Sequence, residues 1–183
     1  MSVRAIETRY DGCLFRSRLE ARWAVFLNEL GLEWQYEPEG LKVDIPGEPR
    51  PLKWLPDFRL ATGQWAEVKG ELNQDTALRL IMLASEVARC ETGNDVVVLG
   101  HIPKPGSLRW PVQLHRHGDL WAVPWTTLIG CPLSVDGPRI ALRDEVEISL
   151  LLEGIMSGVP SVAVPALDAA RTARFEWGAN GGH

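Results

Sequence analysis

The amino-acid sequence predicts an α/β fold in which helices flank a mixed central sheet, with an irregular C-terminal extension. Three observations predict it. An apolar stripe at helical spacing runs through Phe15–Leu30, two strand-like segments flank a short turn at 61–63, and the apolar run Val96–Leu99 lies between turn residues. The order helix, strands, hairpin, helix, strand is typical of a mixed sheet lying between helices.

The first helix is predicted over Phe15–Leu30, where apolar residues recur every three or four positions. Gly31 stands where a helix C-terminal cap is expected. Short strands are predicted over Trp34–Glu37 and Gly40–Ile45, followed by a loop at 46–51 in which proline, glycine and charged residues are crowded. The apolar stripe consists of Leu19, Trp23, Phe26, Leu27 and Leu30.

A β-hairpin and a second helix follow. The segments Trp54–Leu60 and Gln64–Gly70 are predicted to be the two hairpin strands. The second helix runs from about Asn73 to Cys90, and the run at 95–100 has the composition of a buried central strand. One side of the second helix carries Ala77, Leu80, Ile81, Ala84, Val87 and Ala88.

The pattern weakens in the C-terminal half of the chain. A strand is predicted over Leu120–Trp125 and a helix over Arg143–Met156, and a closing helix over Asp168–Trp177. The segment Ser161–Val164 fits neither pattern clearly.

The predicted organisation has three parts. Residues 1–100 form the core, residues 101–177 form an extension that either completes the sheet or provides a docking surface, and residues 178–183 form a disordered tail.

Composition narrows the class of protein. The chain has 183 residues, of which 45% are hydrophobic and 23% charged, as in ordinary globular proteins. No apolar run approaches the roughly 20 residues of a membrane span, and Met1–Glu7 has no signal-peptide core. The three cysteines are too few for a disulfide framework and are predicted to be reduced thiols. A cytoplasmic protein without a membrane partner is therefore expected.

The net charge of −5 argues against a protein that holds nucleic acid by bulk positive charge. It does not exclude an enzyme that meets phosphate groups locally, through a few arginines and a divalent cation.

Two acidic residues and a lysine are expected to share one face of the hairpin. Alternate residues of a strand point to the same side, so Glu67 and Lys69 share one face. A three-residue turn with Gly63 in the left-handed bulge position pairs Leu60 with Gln64, and this register sets Asp57 opposite Glu67. A turn one residue shorter or longer sets Asp57 opposite Val68 and turns one partner to the other face.

Two facing carboxylates with an ammonium group beside them repel each other unless a cation bridges them. Mg²⁺ or Mn²⁺ takes hard oxygen ligands and is the natural bridge between Asp57 and Glu67. Such an ion polarises a phosphoryl oxygen and lowers the pKa of a bound water. Lys69 would then orient or deprotonate that water, or neutralise charge in the transition state.

These residues resemble the PD-(D/E)XK nuclease superfamily, which includes many restriction endonucleases, Holliday-junction resolvases and the endonuclease subunit of Tn7-type transposition. The match is Pro56-Asp57, nine further residues and Glu67-Val68-Lys69, preceded by a helix that carries Glu20. The stretch Phe15–Trp23, followed by Tyr36-Glu37-Pro38, is more specifically similar to small nuclease-like proteins of phages and actinobacteria. The resemblance covers about residues 10–100.

The resemblance implies a restriction-endonuclease-like fold and a nuclease that uses Mg²⁺ or Mn²⁺, with DNA as the polymer. It implies that Asp57 and Glu67 are metal ligands and that Lys69 is the catalytic lysine. It also implies that Glu20 binds the metal directly or through water, and that the carbonyl of Val68 contributes a further ligand.

Each of these residues also has a structural alternative. Ser17 and Glu20 have the spacing of a capping box, in which Glu20 reaches back to the backbone N–H of Ser17. Against this, Glu20 lies near Leu27 at the edge of the apolar stripe, where a half-buried site residue is expected. Glu67 and Lys69 could form an exposed pair on an edge strand, and Asp57 could simply begin a turn after the proline.

Other residues are candidates for contacts with nucleic acid. Arg16 lies on the same side of the helix start as Glu20 and is the best candidate for a phosphate contact. Gln74, one turn beyond the motif, could touch the scissile phosphate or simply begin the second helix. Trp54 and Trp65 flank the motif, and they are the tryptophans to consider for stacking on bases, although tryptophans are more often core residues.

The histidines do not predict a structural zinc site. His115 and His117 share a strand face, but no cysteine or histidine follows at ligand spacing, and Cys131 begins only half of a Cys-x-x-Cys pair.

Two functions of different classes therefore remain: a metal-dependent deoxyribonuclease, and a nuclease-fold module that binds another protein or a nucleoprotein complex without cutting. A homodimer or a protein partner fits either function.

Overall fold

The computed structural model describes residues 5–90, 95–105, 107, 109–117, 119–125, 140–141, 155–156 and 161–175. Over these residues the chain is a mixed α/β protein with three α-helices and a seven-stranded mixed sheet, which confirms the predicted class at that level. The elements are β1 Thr8–Tyr10, β2 Cys13–Phe15, α1 Arg18–Glu29, β3 Trp34–Tyr36, β4 Leu41–Val43, β5 Leu52–Trp54, β6 Phe58–Leu60, β7 Trp65–Val68, α2 Gln74–Cys90, β8 Val96–Leu99, β9 Arg109–Trp110, β10 Val112–His117, β11 Asp119–Pro124, β12 Ile140–Ala141, β13 Ile155–Met156 and α3 Val164–Thr172.

The first helix forms where the apolar stripe predicts it. Ser17 is the N-cap, and its hydroxyl accepts a hydrogen bond from the backbone N–H of Glu20 at 3.2 Å. Gly31 follows the helix with φ +66°, a conformation that favours glycine. Trp23, Phe26 and Leu27 are fully buried, which confirms the orientation of the stripe.

The main sheet has the order β12-β11-β10-β8-β7-β6-β3. All neighbouring pairs in it are antiparallel except β7 and β8, which run parallel and are connected through α2. Parallel strands end at the same edge of a sheet, and the backbone N–H of Lys69 accordingly donates to the carbonyl of Leu99 at 2.8 Å. The edge where β7 and β8 end is therefore the edge that carries Lys69.

The hairpin of β6 and β7 has the predicted register. Phe58 pairs with Ala66 and Arg59 with Trp65, and this register, continued by one residue, sets Asp57 opposite Glu67. The turn contains three residues: the backbone N–H of Leu60 donates to the carbonyl of Gln64 at 3.0 Å, and Gly63 has φ +95°. The predicted three-residue turn and its glycine are confirmed.

Hydrophobic cores cover both faces of the sheet. Ala66 and Val97 face α1 and α3, whereas Trp65 and Val98 face α2 and the separate β4–β5 ribbon. Glu67 alternates with Ala66 along β7 and therefore lies on the α2 side. All four residues of β7 are buried, so the alternative of an exposed edge strand is wrong for Glu67.

The C-terminal half differs from the prediction in several places. Strand β10 continues the main sheet next to β8, and β11 confirms the strand predicted near Leu120–Trp125. Residues 143–154 of the predicted helix lie outside the described residues, but Ile155–Met156 is a strand that pairs with β9, so helix is wrong there. The closing helix begins earlier than predicted and ends at Thr172, before the extended backbone of Ala173. The predicted tail also lies outside the described residues.

The N-terminal hairpin of β1 and β2 was not predicted from the sequence. Its two-residue turn is Asp11-Gly12, with φ values of +48° and +78°. Asp-Gly between short apolar segments is the strongest short-range signal of such a turn, and it was present in the sequence.

We expect Gly63→Ala to lower the free energy of unfolding by about 1–2 kcal/mol, because an alanine side chain disfavours the positive φ that the turn requires. Chemical denaturation measures this directly. The matched control is Gly40→Ala, because Gly40 has no positive φ and its added Cβ would lie 3.9 Å from the nearest atom, the carbonyl oxygen of Trp54. Equal stability losses in the two variants would contradict this explanation of the turn.

Candidate active site

Asp57 is a buried carboxylate at the start of β6. Asp57 is 2% exposed, and its Oδ2 accepts a hydrogen bond from the backbone N–H of Val68 at 2.6 Å. Its Oδ1 forms an ion pair with Nη2 of Arg16 at 2.6 Å. Asp57 therefore fixes the end of β7 and also pairs with the guanidinium group of Arg16. The alternative in which Asp57 merely begins a turn does not account for these contacts.

Glu67 is also buried, and the hairpin register, continued by one residue beyond Phe58 and Ala66, places it opposite Asp57. Its Oε1 lies 2.5 Å from the ammonium nitrogen of Lys69, whose side chain is about one-third exposed. Its Oε2 accepts a hydrogen bond from the indole N–H of Trp54 at 2.8 Å. One oxygen of Glu67 thus meets a fixed, buried donor, and the other meets a long and flexible cation.

Glu20 lies in the first turn of α1 and is buried there. Its Oε1 accepts a hydrogen bond from the hydroxyl of Ser17 at 2.7 Å. Its Oε2 accepts the hydroxyl of Tyr36 at 2.6 Å and the backbone N–H of Arg16 at 3.1 Å. The structure therefore contains a capping interaction shifted by one residue: the carboxylate of Glu20 accepts a hydrogen bond from the backbone N–H of Arg16, and not from that of Ser17.

The three carboxylates act on one another electrostatically. Burial, together with the negative charges of Glu67 and Glu20, raises the pKa of Asp57 to about 7. The hydrogen bond from the N–H of Val68 and the charge of Lys69 oppose this rise. Glu20 therefore lies close enough to Asp57 for its negative charge to contribute to the raised pKa of Asp57.

The structure brings Arg16 into this cluster, whereas none of the contacts among the described residues joins Gln74 to it. Arg16 contacts Asp57, and its Nε lies 2.5 Å from Oε1 of Glu37, an ion pair outside hydrogen-bond geometry. Gln74 is the exposed first residue of α2, as the structural alternative predicted.

The two tryptophans considered for base stacking are core residues. Trp54 is 8% exposed and Trp65 is 2% exposed, and their rings pack edge to face with centroids 6.2 Å apart. Neither ring offers a face to a nucleotide base, so the stacking interpretation is wrong for both. The hydrogen bonds of Trp54 and Tyr36 were not predicted from the sequence, because both join strands to residues that are distant in the chain.

The cluster offers the right ligand type for a hard divalent cation, because Asp57, Glu67 and Glu20 supply carboxylate oxygens. Among the described residues, however, no group of three or more His, Cys, Asp or Glu side chains is spaced to hold a metal ion. Protein donors engage every carboxylate oxygen of the cluster. A carboxylate oxygen has two lone pairs, so an ion could join these donors or replace the flexible ones.

Comparison with protein-family models, with curated proteins and with solved structures found no match to the chain. Within the part of the chain that the structure describes, no helix is long and apolar enough to cross a membrane. Cys13 and Cys90 are both free thiols.

We expect Tyr36→Phe to lower the free energy of unfolding by about 1–2 kcal/mol, because it removes the hydroxyl that donates to the buried carboxylate of Glu20. Tyr10→Phe is the matched control, since among the described residues the hydroxyl of Tyr10 accepts one hydrogen bond, from the exposed amide of Asn28. Denaturation curves of the two variants should therefore differ. A Tyr36→Phe protein as stable as the control would contradict a stabilising role for the hydrogen bond between Tyr36 and Glu20.

Proposed function

We propose that the protein is a metal-dependent nuclease of the PD-(D/E)XK type, which hydrolyses phosphodiester bonds in DNA. The observation that carries the proposal is the buried pair Asp57 and Glu67, set opposite each other by the hairpin register, with Lys69 in contact with Glu67. Burying two carboxylates side by side costs stability unless a cation compensates their charge, so such a pair indicates a functional site.

The fold supports the proposal. Helix α1, strands β3, β6 and β7, helix α2 and strand β8 follow one another in the order that the resemblance implies. The main sheet places β3, β6, β7 and β8 side by side, with only β7 and β8 parallel. We propose that this unit is a restriction-endonuclease-like core, which the strands from β10 onward extend.

We propose that Mg²⁺ or Mn²⁺ binds to Asp57 and Glu67, with the carbonyl of Val68 as a further ligand and Glu20 acting directly or through water. When bound there, such an ion would supply Lewis-acid chemistry: it would polarise a phosphoryl oxygen and lower the pKa of a bound water. The residues of the chain orient these groups. Val68 holds one oxygen of Asp57, and Trp54 holds one oxygen of Glu67, so each carboxylate presents its other oxygen in a fixed direction.

Lys69 has the second chemical role. Its ammonium group lies on Glu67 and is partly open to solvent, so it can reach a phosphate group or a water molecule beside the carboxylates. There it would orient the attacking water or stabilise the negative charge that develops on the phosphate.

A binding module that does not cut is the second candidate function. It is favoured by two observations: protein donors already engage every carboxylate oxygen of the cluster, and the chain carries a net charge of −5. In that case Arg16 and Lys69 are permanent structural counter-charges, and the surface beyond residue 101 docks a protein partner.

A cleavage assay separates the two functions. Linear, supercoiled, single-stranded and branched DNA, and RNA, are incubated with the protein in Mg²⁺, Mn²⁺ or EDTA. We expect metal-dependent products with the wild type and with Glu71→Gln, an exposed control, and none with Glu67→Gln, which retains an acceptor for Trp54. Cleavage by Glu67→Gln at the wild-type rate would contradict the proposed site. A folded wild type that cleaves none of these substrates would favour the binding module.

A further inference from the structure

Arg16 combines a fixed backbone with an exposed side chain. Its N–H donates to Glu20 and to the hydroxyl of Tyr36, so the backbone is held at the start of α1. The side chain is 56% exposed, yet its guanidinium group reaches Asp57, whose side chain is only 3% exposed. The guanidinium group therefore covers the solvent side of the most deeply buried carboxylate of the site.

Only one oxygen of each central carboxylate is held by a donor that can leave. On Asp57, the partner of Oδ2 is a backbone N–H, whereas the partner of Oδ1 is the flexible Arg16. On Glu67, the partner of Oε2 is the buried indole of Trp54, whereas the partner of Oε1 is Lys69. A cation approaching the pair from solvent thus meets Arg16 at Asp57 and Lys69 at Glu67.

We propose that a divalent cation and the guanidinium group of Arg16 compete for Asp57, and that the displaced guanidinium group binds a phosphate of the substrate. This inference rests on the proposed function. A guanidinium group and a divalent cation repel each other at contact distance, so binding of the ion drives Arg16 away from Oδ1. The freed group is a planar fork of donors that matches a phosphate.

The exchange couples the two ligands. The ion frees Arg16 for the phosphate, and the phosphate, by holding Arg16, frees Asp57 for the ion. Thermodynamic linkage requires this effect to be the same in both directions, so metal binding and substrate binding reinforce each other. Glu37 also forms an ion pair with Arg16, and this contact would keep the guanidinium group beside Asp57 whether or not the metal ion is bound.

The first arm of the test measures Mn²⁺ binding by calorimetry at pH 8. We expect Arg16→Ala and Arg16→Gln to bind Mn²⁺ about 10-fold or more tightly than the wild type, because the competing cation is gone. Arg9→Ala removes an exposed arginine from β1 and should leave the affinity unchanged. Measurable Mn²⁺ binding by the Arg16 variants, with none by the wild type, would also support the competition. Equal affinity in wild type and Arg16 variants overturns the competition but leaves the metal site standing, whereas no binding by any of these proteins overturns both.

The second arm measures binding of a short DNA duplex by fluorescence anisotropy, with Lys69→Ala as the background that prevents cleavage. In Mn²⁺, adding Arg16→Ala should weaken DNA binding about 10-fold, a typical cost of losing one charged phosphate contact. In EDTA it should change nothing, because Arg16 is then held by Asp57. An equal loss in both conditions would identify Arg16 as an ordinary phosphate contact, and no loss in either condition would exclude the contact. Both of these results overturn the exchange.

Discussion

Replacing Lys69 with alanine is expected to lower the rate of metal-dependent DNA cleavage by about 10³-fold. The ammonium group lies 2.5 Å from Oε1 of Glu67 and is partly open to solvent, where it can act on the attacking water or on the phosphate. Acid–base catalysis contributes about 10²–10⁴-fold in enzymes of known mechanism, and a single electrostatic contact in a transition state contributes about 10²–10³-fold. Single-turnover cleavage of a labelled duplex in Mg²⁺ measures the loss.

The controls separate chemistry from folding. Lys53→Ala removes an exposed lysine from β5 and should cleave at the wild-type rate. Lys69→Ala should keep its circular dichroism spectrum and still bind Mn²⁺, because Asp57 and Glu67 remain. Undiminished cleavage by folded Lys69→Ala would show that the lysine only neutralises Glu67, and the proposed mechanism would then be wrong.

In EDTA, Asp57→Asn is expected to be more stable than the wild type at pH 8, by on the order of 1–4 kcal/mol, and to differ little from it at pH 4. Burial and the neighbouring carboxylates raise the pKa of Asp57 from 3.8 to about 7 in the folded protein. A raised pKa favours the folded state below pH 3.8, and this contribution is lost as the pH rises through 7. Asparagine does not ionise, and its side-chain oxygen still accepts the N–H of Val68, so the variant avoids that loss.

Urea denaturation at pH 4, 6 and 8 measures the difference in the free energy of unfolding between Asp57→Asn and the wild type. The difference should grow with pH, whereas Asp44→Asn, an exposed control, should show no such trend. Adding Mg²⁺ at pH 8, at a concentration high enough to displace Arg16, should then stabilise the wild type and not Asp57→Asn, because a ligand stabilises only a state that binds it. A difference that is constant with pH would contradict the buried, charged state of Asp57.

The central part of the site could be predicted because its geometry is local. The turn Ala61-Thr62-Gly63 fixes the hairpin register through one positive φ, and alternation along β7 then places Glu67 on the same side as Lys69. These relations extend over only a few residues, so turn chemistry and the two-residue period of a strand suffice to derive them.

The supporting contacts could not be predicted because they are tertiary. Arg16 meets Asp57 from 41 positions away, and Tyr36 meets Glu20 from 16 positions away. No periodicity links such residues. The burial of Trp54 is also tertiary, and this is why stacking on bases was a wrong prediction for it. The sequence does not show that the β4–β5 ribbon packs Trp54 against the sheet, where its indole N–H donates to Glu67.

The dual character of Glu20 shows how a local motif and a site can share one residue. Its spacing from Ser17 predicted a cap, and the structure contains that cap in a shifted form. The same carboxylate also raises the pKa of Asp57, so capping does not remove it from the site.

The helix predicted over Arg143–Met156 is wrong at Ile155–Met156, which form a strand, because short apolar runs do not distinguish helix from strand.

The most direct measurement is a calorimetric titration of Mn²⁺ into the wild type, Arg16→Ala and Asp57→Asn at pH 8. A metal site built on Asp57 predicts binding by the wild type or, where Arg16 competes strongly, by Arg16→Ala, and no binding by Asp57→Asn. Equal binding by Asp57→Asn, or no binding by either of the other two proteins, would contradict a divalent-cation site at these carboxylates.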